Sequence, residues 1–352
     1  AEGFPAFRRF AIPSDGIIDL NLPENALFAR QNFGNVDTDA RRAYVQSWNF
    51  AIQRSLPGDL VLDLAYVGNH GVNNQSNWDI NAGRIPGAGN AGRLLNPLYG
   101  RNNTTNTRIG THTYYNSLQI KLDRRFASGF GLTTAYTYGK ALNFSDDNGG
   151  LSVHGLAFAT NKGRQGTDRT HVYTQSYTYE LPFGKGKRFA QTGAGAWLLG
   201  GWQLQGILSL MTGEPFTVTA NGSLLNAPSN QQRADVVGTP RIVGDIAGPS
   251  GTGLWFTTDA FAPPAQNTLG NAGREIIDGP GLVNWDFSVF RRFPLPKLRE
   301  GADLTLRIES FNFSNTPHFQ NPEGNVNNVN FGRVRGADED ARLFQFGLSL
   351  RF

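Results

Sequence analysis

The sequence predicts an all-β fold: an antiparallel meander of about nine long strands that forms part of a transmembrane β-barrel, with long extracellular loops and short periplasmic turns. Three observations carry this. First, apolar residues recur at every second position through segments of about ten residues. Soluble strands usually run to about five or six, whereas about 9–11 residues cross a bilayer at a tilt. Second, short and long connections alternate strictly between these segments, as in barrels whose turns are tight on one side of the membrane and whose loops are long on the other. Third, the 352 residues hold 43 Gly, 25 Phe and 12% aromatic residues but only 17% charged ones. That balance favours sheet over disorder, because disordered chains are poor in aromatics.

The first segment, 44–54, places Trp48, Phe50 and Ile52 on one face, with Ser47, Asn49 and Gln53 among the others. After the tight "SLPGD", residues 60–68 set Leu60, Leu62, Leu64 and Tyr66 against Asp63 and Ala65. A long polar stretch then runs to about residue 113. Residues 114–126 set Leu118, Ile120 and Leu122 against Ser117, Gln119, Lys121 and Asp123. The turn "ASG" leads into 130–140, with Phe130, Leu132, Tyr136 and Tyr138 against Gly131, Thr133 and Thr137.

A second long connection reaches 172–181, where Tyr173, Tyr177, Tyr179 and Leu181 oppose Thr174, Ser176 and Glu180. A middling link precedes 201–211, with Trp202, Leu204, Leu208 and Leu210 against Gln203, Gln205 and Ser209. The longest gap follows. Then 283–293 sets Val283, Trp285, Phe287 and Val289 against Asn284, Asp286 and Ser288. "PLPKLREGA" leads to 303–313, with Leu304, Leu306 and Ile308 against Thr305, Arg307 and Glu309. The chain ends on "RLFQFGLSLRF", in which Phe344, Phe346, Leu348, Leu350 and Phe352 share one face. An edge strand of a soluble sandwich would aggregate with such a face exposed. In a closed barrel every backbone group is paired and that face can meet lipid.

Other function classes find little support. No run of about 18 apolar residues is present, so no transmembrane helix is expected. The net charge is +4 and spread along the chain, where a nucleic-acid partner would need a basic stripe. With 0 Cys there are no disulfides or thiolate metal sites. The glycines of 87–92 neither follow a strand nor open an apolar helix, so they do not read as a nucleotide loop. "GKGKR" (184–188) reads as a solvated turn. The five His show no zinc spacing, and no G-x-S-x-G elbow occurs, so neither an enzyme nor a cofactor is expected. Asp146, Asp147 and Asn148 form a weak calcium candidate without the regular loop spacing. The polar positions Asp63, Gln119, Gln205, Asp286, Arg307 and Glu309 are expected to face a lumen, where solvation is the commoner role than transport chemistry.

Several segments resemble the C-terminal barrel portion of TonB-dependent receptors, in particular the Oar-like branch common in acidobacteria. They are 44–71, 115–142, 168–187, 200–218, "FGRV" (331–334) and the terminal strand. The pair "LGNAGREIIDGPGLVNWDFSVFRRF" (269–293) and "LRIESFNFSNTPHFQNP" (306–322) is the most specific. The resemblance implies an outer-membrane location and energised uptake of a ligand whose identity it does not fix. It also implies as partners outer-membrane lipid, a plug domain with the rest of the barrel, and a TonB-type energy-coupling protein. The terminal Phe344, Phe346, Leu348, Leu350 and Phe352 are similar to the signal read by the barrel-assembly machinery.

Residues 1–43 are expected to be an extracellular loop segment and 44–352 the C-terminal portion of the barrel, with plug and N-terminal strands supplied from outside this sequence. The rival arrangement is a self-contained ten-stranded barrel that uses residues 4–12 as a further strand. The rival function is a surface structural or adhesion protein whose barrel anchors long loops.

Overall fold

The computed structural model describes residues 33–36, 41–99, 104–145, 151–246, 253–296, 298–338 and 341–352. The alternating segments form nine long strands: β1 (Tyr44–Leu56), β2 (Leu60–Asp79), β3 (Thr104–Ala127), β4 (Phe130–Asn143), β5 (His171–Glu180), β6 (Trp202–Met211), β7 (Leu282–Pro294), β8 (Asp303–Phe311) and β9 (Leu343–Arg351). They pair in chain order, each antiparallel to the next. The expected meander is therefore present. Among the described residues β1 has β2 as its one strand neighbour and β9 has β8. The candidate strand at 4–12 lies outside the described residues.

Short connections join β1–β2, β3–β4 and β7–β8, and a middling one, residues 181–201, joins β5–β6; the four long ones join the remaining pairs. At the β3–β4 hairpin Ser128 (φ 53°) and Gly129 (φ 80°) are both left-handed, as a two-residue loop matched to strand twist requires.

Two strands exceed their alternating segments. β2 and β3 stay paired out to Asp79 opposite Thr105, through register shifts at Gly71/Asn74 and Asn74/Gln75. The added residues include Asn69, Asn73, Asn74, Gln75 and Asn77 and are polar on both sides. Polar on both faces, with Ser76 and Asp79 buried, the extension has no period-two apolar signal, so its sequence reads as loop. Phe33–Val36, within the expected loop segment, pairs in parallel with Thr104–Thr107.

Register sorts the side chains into two faces. One carries the rows Phe50–Tyr66–Leu118–Tyr138 and Ile52–Leu64–Ile120–Tyr136–Tyr173–Leu210–Val283. Glycines on this face lie under aromatic rings of the adjacent strand. A Cβ on Gly68 would meet the Trp48 indole at 2.4 Å, and one on Gly206 the Tyr177 hydroxyl at 2.5 Å. Large apolar side chains on this face stand exposed, among them Phe50 (67%), Phe346 (73%) and Leu348 (69%).

The buried apolar core lies elsewhere, in the long connections. Phe216, Val218, Ala234, Phe256, Ala260, Phe261 and Ile277 form one cluster, with Val236, Trp255, Val326 and Phe331 packed against it. A water-soluble sheet would bury its apolar face against a second layer. Here the sheet leaves that face open while the loops bury theirs.

Candidate functional site

The opposite face of the sheet is polar. One row across it is Asp123–Thr133–Ser176–Ile207–Asp286, and the next is Gly131–Thr178–Gln205–Ser288–Glu309–Gln345. The parts of these two rows on β3 to β8 line a concavity of about 560 Å³. Strand twist and coiling curve the sheet, which gives this face its hollow. Thr133 Oγ1 donates to Asp123 Oδ1 at 2.7 Å, and the Asn312 backbone N–H to Asp286 Oδ1 at 2.9 Å. Gln205 Nε2 donates to Thr178 Oγ1 at 3.4 Å. Ile207 is the apolar member of the first row and is exposed.

Of the polar residues singled out in the sequence, Gln205, Asp286 and Glu309 meet in this concavity. Arg307 lies one row away, its guanidinium 3.6 Å from the Glu309 carboxylate. Asp63 and Gln119 sit further along the sheet. Asp63 accepts from Gln53 Nε2 at 2.6 Å, and Gln119 donates to Ser117 Oγ at 3.2 Å. Phe344, Phe346, Leu348 and Leu350 pair with Ser310, Ile308, Leu306 and Leu304 on the other face, and Phe352 follows them, 77% exposed. Asp146, Asp147 and Asn148 lie outside the described residues. Among those described, no three His, Asp or Glu side chains are grouped to hold a metal. Sequence reasoning did not select Asp123, Thr133, Ser176, Thr178 or Ser288 as site residues. The alternation puts each on the polar face, but only the register puts them together.

The four long connections interlock into a cap. Arg164 binds Asp168 at 2.9 Å within its own connection and Asp278 at 2.5 Å in the next. Arg169 reaches Glu214 at 3.0 Å, and the buried pair Arg93–Asp79 closes at 3.0 Å. Arg233 is 2% exposed. It donates to Thr160 O at 2.9 Å and to Ser152 Oγ at 2.9 Å, tying two connections together. Burial, with Arg274 close by, lowers its pKa to about 10, and Glu275 partly offsets this. It stays charged at neutral pH. A 300 Å³ cavity beside Arg274 is lined by Ser152, Thr217, Thr219, Gln231 and Glu275.

His154 makes the cap sensitive to acid. The Asp79 backbone N–H donates to His154 Nδ1 at 2.9 Å, which requires that nitrogen to be unprotonated. Burial holds this pKa below the ordinary 6.5, against an opposing pull from the Asp79 carboxylate. The unfolded ring therefore binds its proton first as pH falls. Stability is full above the unfolded value and declines over the window between it and the lower folded value. Exchange protection of the Asp79 amide, corrected for intrinsic rate, is expected to fall as pH drops below the ordinary 6.5. His154→Asn, which keeps an acceptor, is expected to remove that slope; an unchanged slope in the variant would assign it to another group.

The outer membrane beta barrel domain family matches residues 4–345 of the chain. No curated protein matches it. Among solved structures, the outer membrane transporter YddB from Escherichia coli shares 12% identity at a TM-score of 0.46, covering 91% of this chain and 34% of that one. The ferric-catecholate import receptor Fiu of E. coli K12 gives 11% and 0.42, covering 88% and 28%. FpvA of P. aeruginosa, solved with a heterologous pyoverdine, gives 11% and 0.38, covering 85% and 26%. The chain thus spans about a third or less of the length of these structures.

Proposed function

We propose, from the premise that this chain belongs to the outer membrane beta barrel domain family, that it forms wall and outer loops of a receptor importing a ligand under TonB-type energy coupling. The family places it in the outer membrane. The single observation carrying the reading is the two-faced sheet. An unpartnered apolar face suits lipid, and the polar face is hollowed by about 560 Å³ rather than filled by its own side chains. A barrel that serves only as an anchor can close on a packed interior.

In this reading Phe344, Phe346, Leu348, Leu350 and Phe352 meet lipid and present the insertion signal to the assembly machinery. Asp63, Gln119, Gln205, Asp286, Arg307 and Glu309 face the lumen and a plug domain. The short turns are periplasmic and the cap is extracellular, with residues 1–43 an outer loop and 44–352 the C-terminal barrel, of the Oar-like kind. The role is binding and passage, without catalysis.

A second reading has its own support. The cap exposes Ile85, Leu94, Val237, Val243 and Val329, which suits a surface structural or adhesive role. Mass spectrometry of spent medium separates the two, comparing cells with and without the intact gene. Transport predicts a solute that only the intact cells remove, and whose removal a protonophore stops. Identical depletion in both strains, with loss of surface attachment in the deletion strain, would overturn transport in favour of adhesion.

A further inference from the structure

At the short-turn end, the β5–β6 connection differs from the other three. It carries a helix, α1 (Gly193–Leu199), whose sequence is GAGAWLL. Trp197, Leu198 and Leu199 are 69%, 60% and 44% exposed. The helix is nevertheless held firmly to the sheet. Arg291 rises from the apolar face of β7, in register with Trp202 and Leu306. Its guanidinium donates to Leu198 O at 2.9 Å and also to Trp197 O. Trp202 Nε1 donates to the same Leu198 carbonyl at 3.0 Å. The Arg291 guanidinium lies 4.3 Å from the Phe293 ring centroid and 5.7 and 5.9 Å from those of Trp202 and Trp197.

The arrangement answers a problem of its own surroundings. A guanidinium on a lipid-facing strand is costly at mid-membrane and tolerated near the interface, where aromatic side chains also gather. Arg291 is 8% exposed, covered by the aromatics and by the helix end whose carbonyls it satisfies. Covering it leaves the apolar edge of α1 pointing outward, continuous with the apolar face of the strands. In the turn before the helix, Lys185 and Arg188 are exposed, and the Arg188 guanidinium lies 5.2 Å from the Phe189 ring centroid. Apolar and aromatic groups beside exposed cations suit a surface that is hydrocarbon on one side and phosphate on the other.

We propose that α1 and the basic turn before it form an interfacial anchor, with Trp197, Leu198 and Leu199 entering the acyl boundary of a phospholipid leaflet and Lys185 and Arg188 meeting its phosphates. The anchor fixes the depth at which this side of the sheet sits. It rests on the reading that the apolar face meets lipid, so the test addresses both.

These 352 residues hold 0 Cys, so single nitroxide labels can be placed among them, any cysteine elsewhere in the protein being replaced by Ser, and the protein reconstituted in phospholipid bilayers. The positions are Leu198→Cys on the helix, Lys185→Cys in the turn and Leu64→Cys on the apolar face of β2. Collision with oxygen and with a water-soluble nickel chelate is then measured. The Leu64 label is expected to be open to oxygen and shielded from nickel. The Leu198 label should be open to oxygen and severalfold less open to nickel than the Lys185 label. A Leu198 label as open to nickel as Lys185, with Leu64 in lipid, overturns the anchor alone. A Leu198 label closed to both reagents also overturns it, because protein then covers the helix. A Leu64 label open to nickel overturns the lipid-facing reading and the anchor with it.

Discussion

Phe256→Ala is expected to cost the cap about 3–5 kcal/mol, the range for deleting a buried aromatic side chain. Phe256 is fully buried. Its ring centroid lies 5.7 Å from that of Phe216, 5.8 Å from Phe261 and 5.3 Å from Phe331. Two of these contacts are edge-on, at 89° and 82°, the favoured geometry for aromatic pairs. Alanine leaves a void among rings held by two different connections, and they cannot easily collapse to fill it. Hydrogen exchange at Ala234, whose amide donates to Val218 O at 3.1 Å, should accelerate roughly 10²–10⁴-fold. Amides of β1 to β9 should keep their protection, because their ladder does not depend on the cap core. Equal acceleration in cap and strands would show that the two unfold as one unit. Phe256→Leu, which keeps most of the volume, should show a clearly smaller effect.

Leu208→Arg is expected to lower the stability of the reconstituted protein by about 2–4 kcal/mol if the position lies near the bilayer midplane. Leu208 stands in β6 opposite Gln175 on one side and Trp285 on the other, on the apolar face. Its neighbour Ser209 points the other way, in register with Thr174 and Asn284. Ser209→Arg should therefore be nearly neutral in the same titration, since a polar, hydrated face accepts charge. The pair differs by one position along the strand, so it tests facing and little else. Equal costs for the two variants in lipid would remove the lipid-facing assignment of this strand.

The strands were legible because each is bounded by two different solvents, which writes a period of two into residues such as Leu204, Gln205, Leu208 and Ser209. Where both sides carry polar residues, as at Asn73 to Asn77, the period vanishes although the ladder continues, and only pairing with Thr105 to Thr111 reveals it. The polar concavity was half legible. Gln205, Asp286 and Glu309 could be assigned to a face, but their meeting with Asp123 depends on a register summed over six strands. The cap core left no periodic trace. Phe216, Phe256, Phe261 and Phe331 are isolated aromatics in Gly-, Pro- and Asn-rich stretches, and their packing is long-range. The helix α1 was hidden in a link read as a middling turn. Seven residues are too few to show a helical period, and its support comes from Arg291, far along the chain.

Phe331 belongs to the connection that precedes β9, yet it completes an aromatic cluster begun at Phe216. The same late segment supplies the Val326 amide to Thr219 O at 2.9 Å and the Gly332 carbonyl to the Trp255 amide at 2.8 Å. The cap is thus a vault whose keystone comes from a different connection than its walls. A chain without residues 325–333 would leave Phe256 and Phe261 without the Phe331 ring that covers them, and docking of that segment closes the cluster.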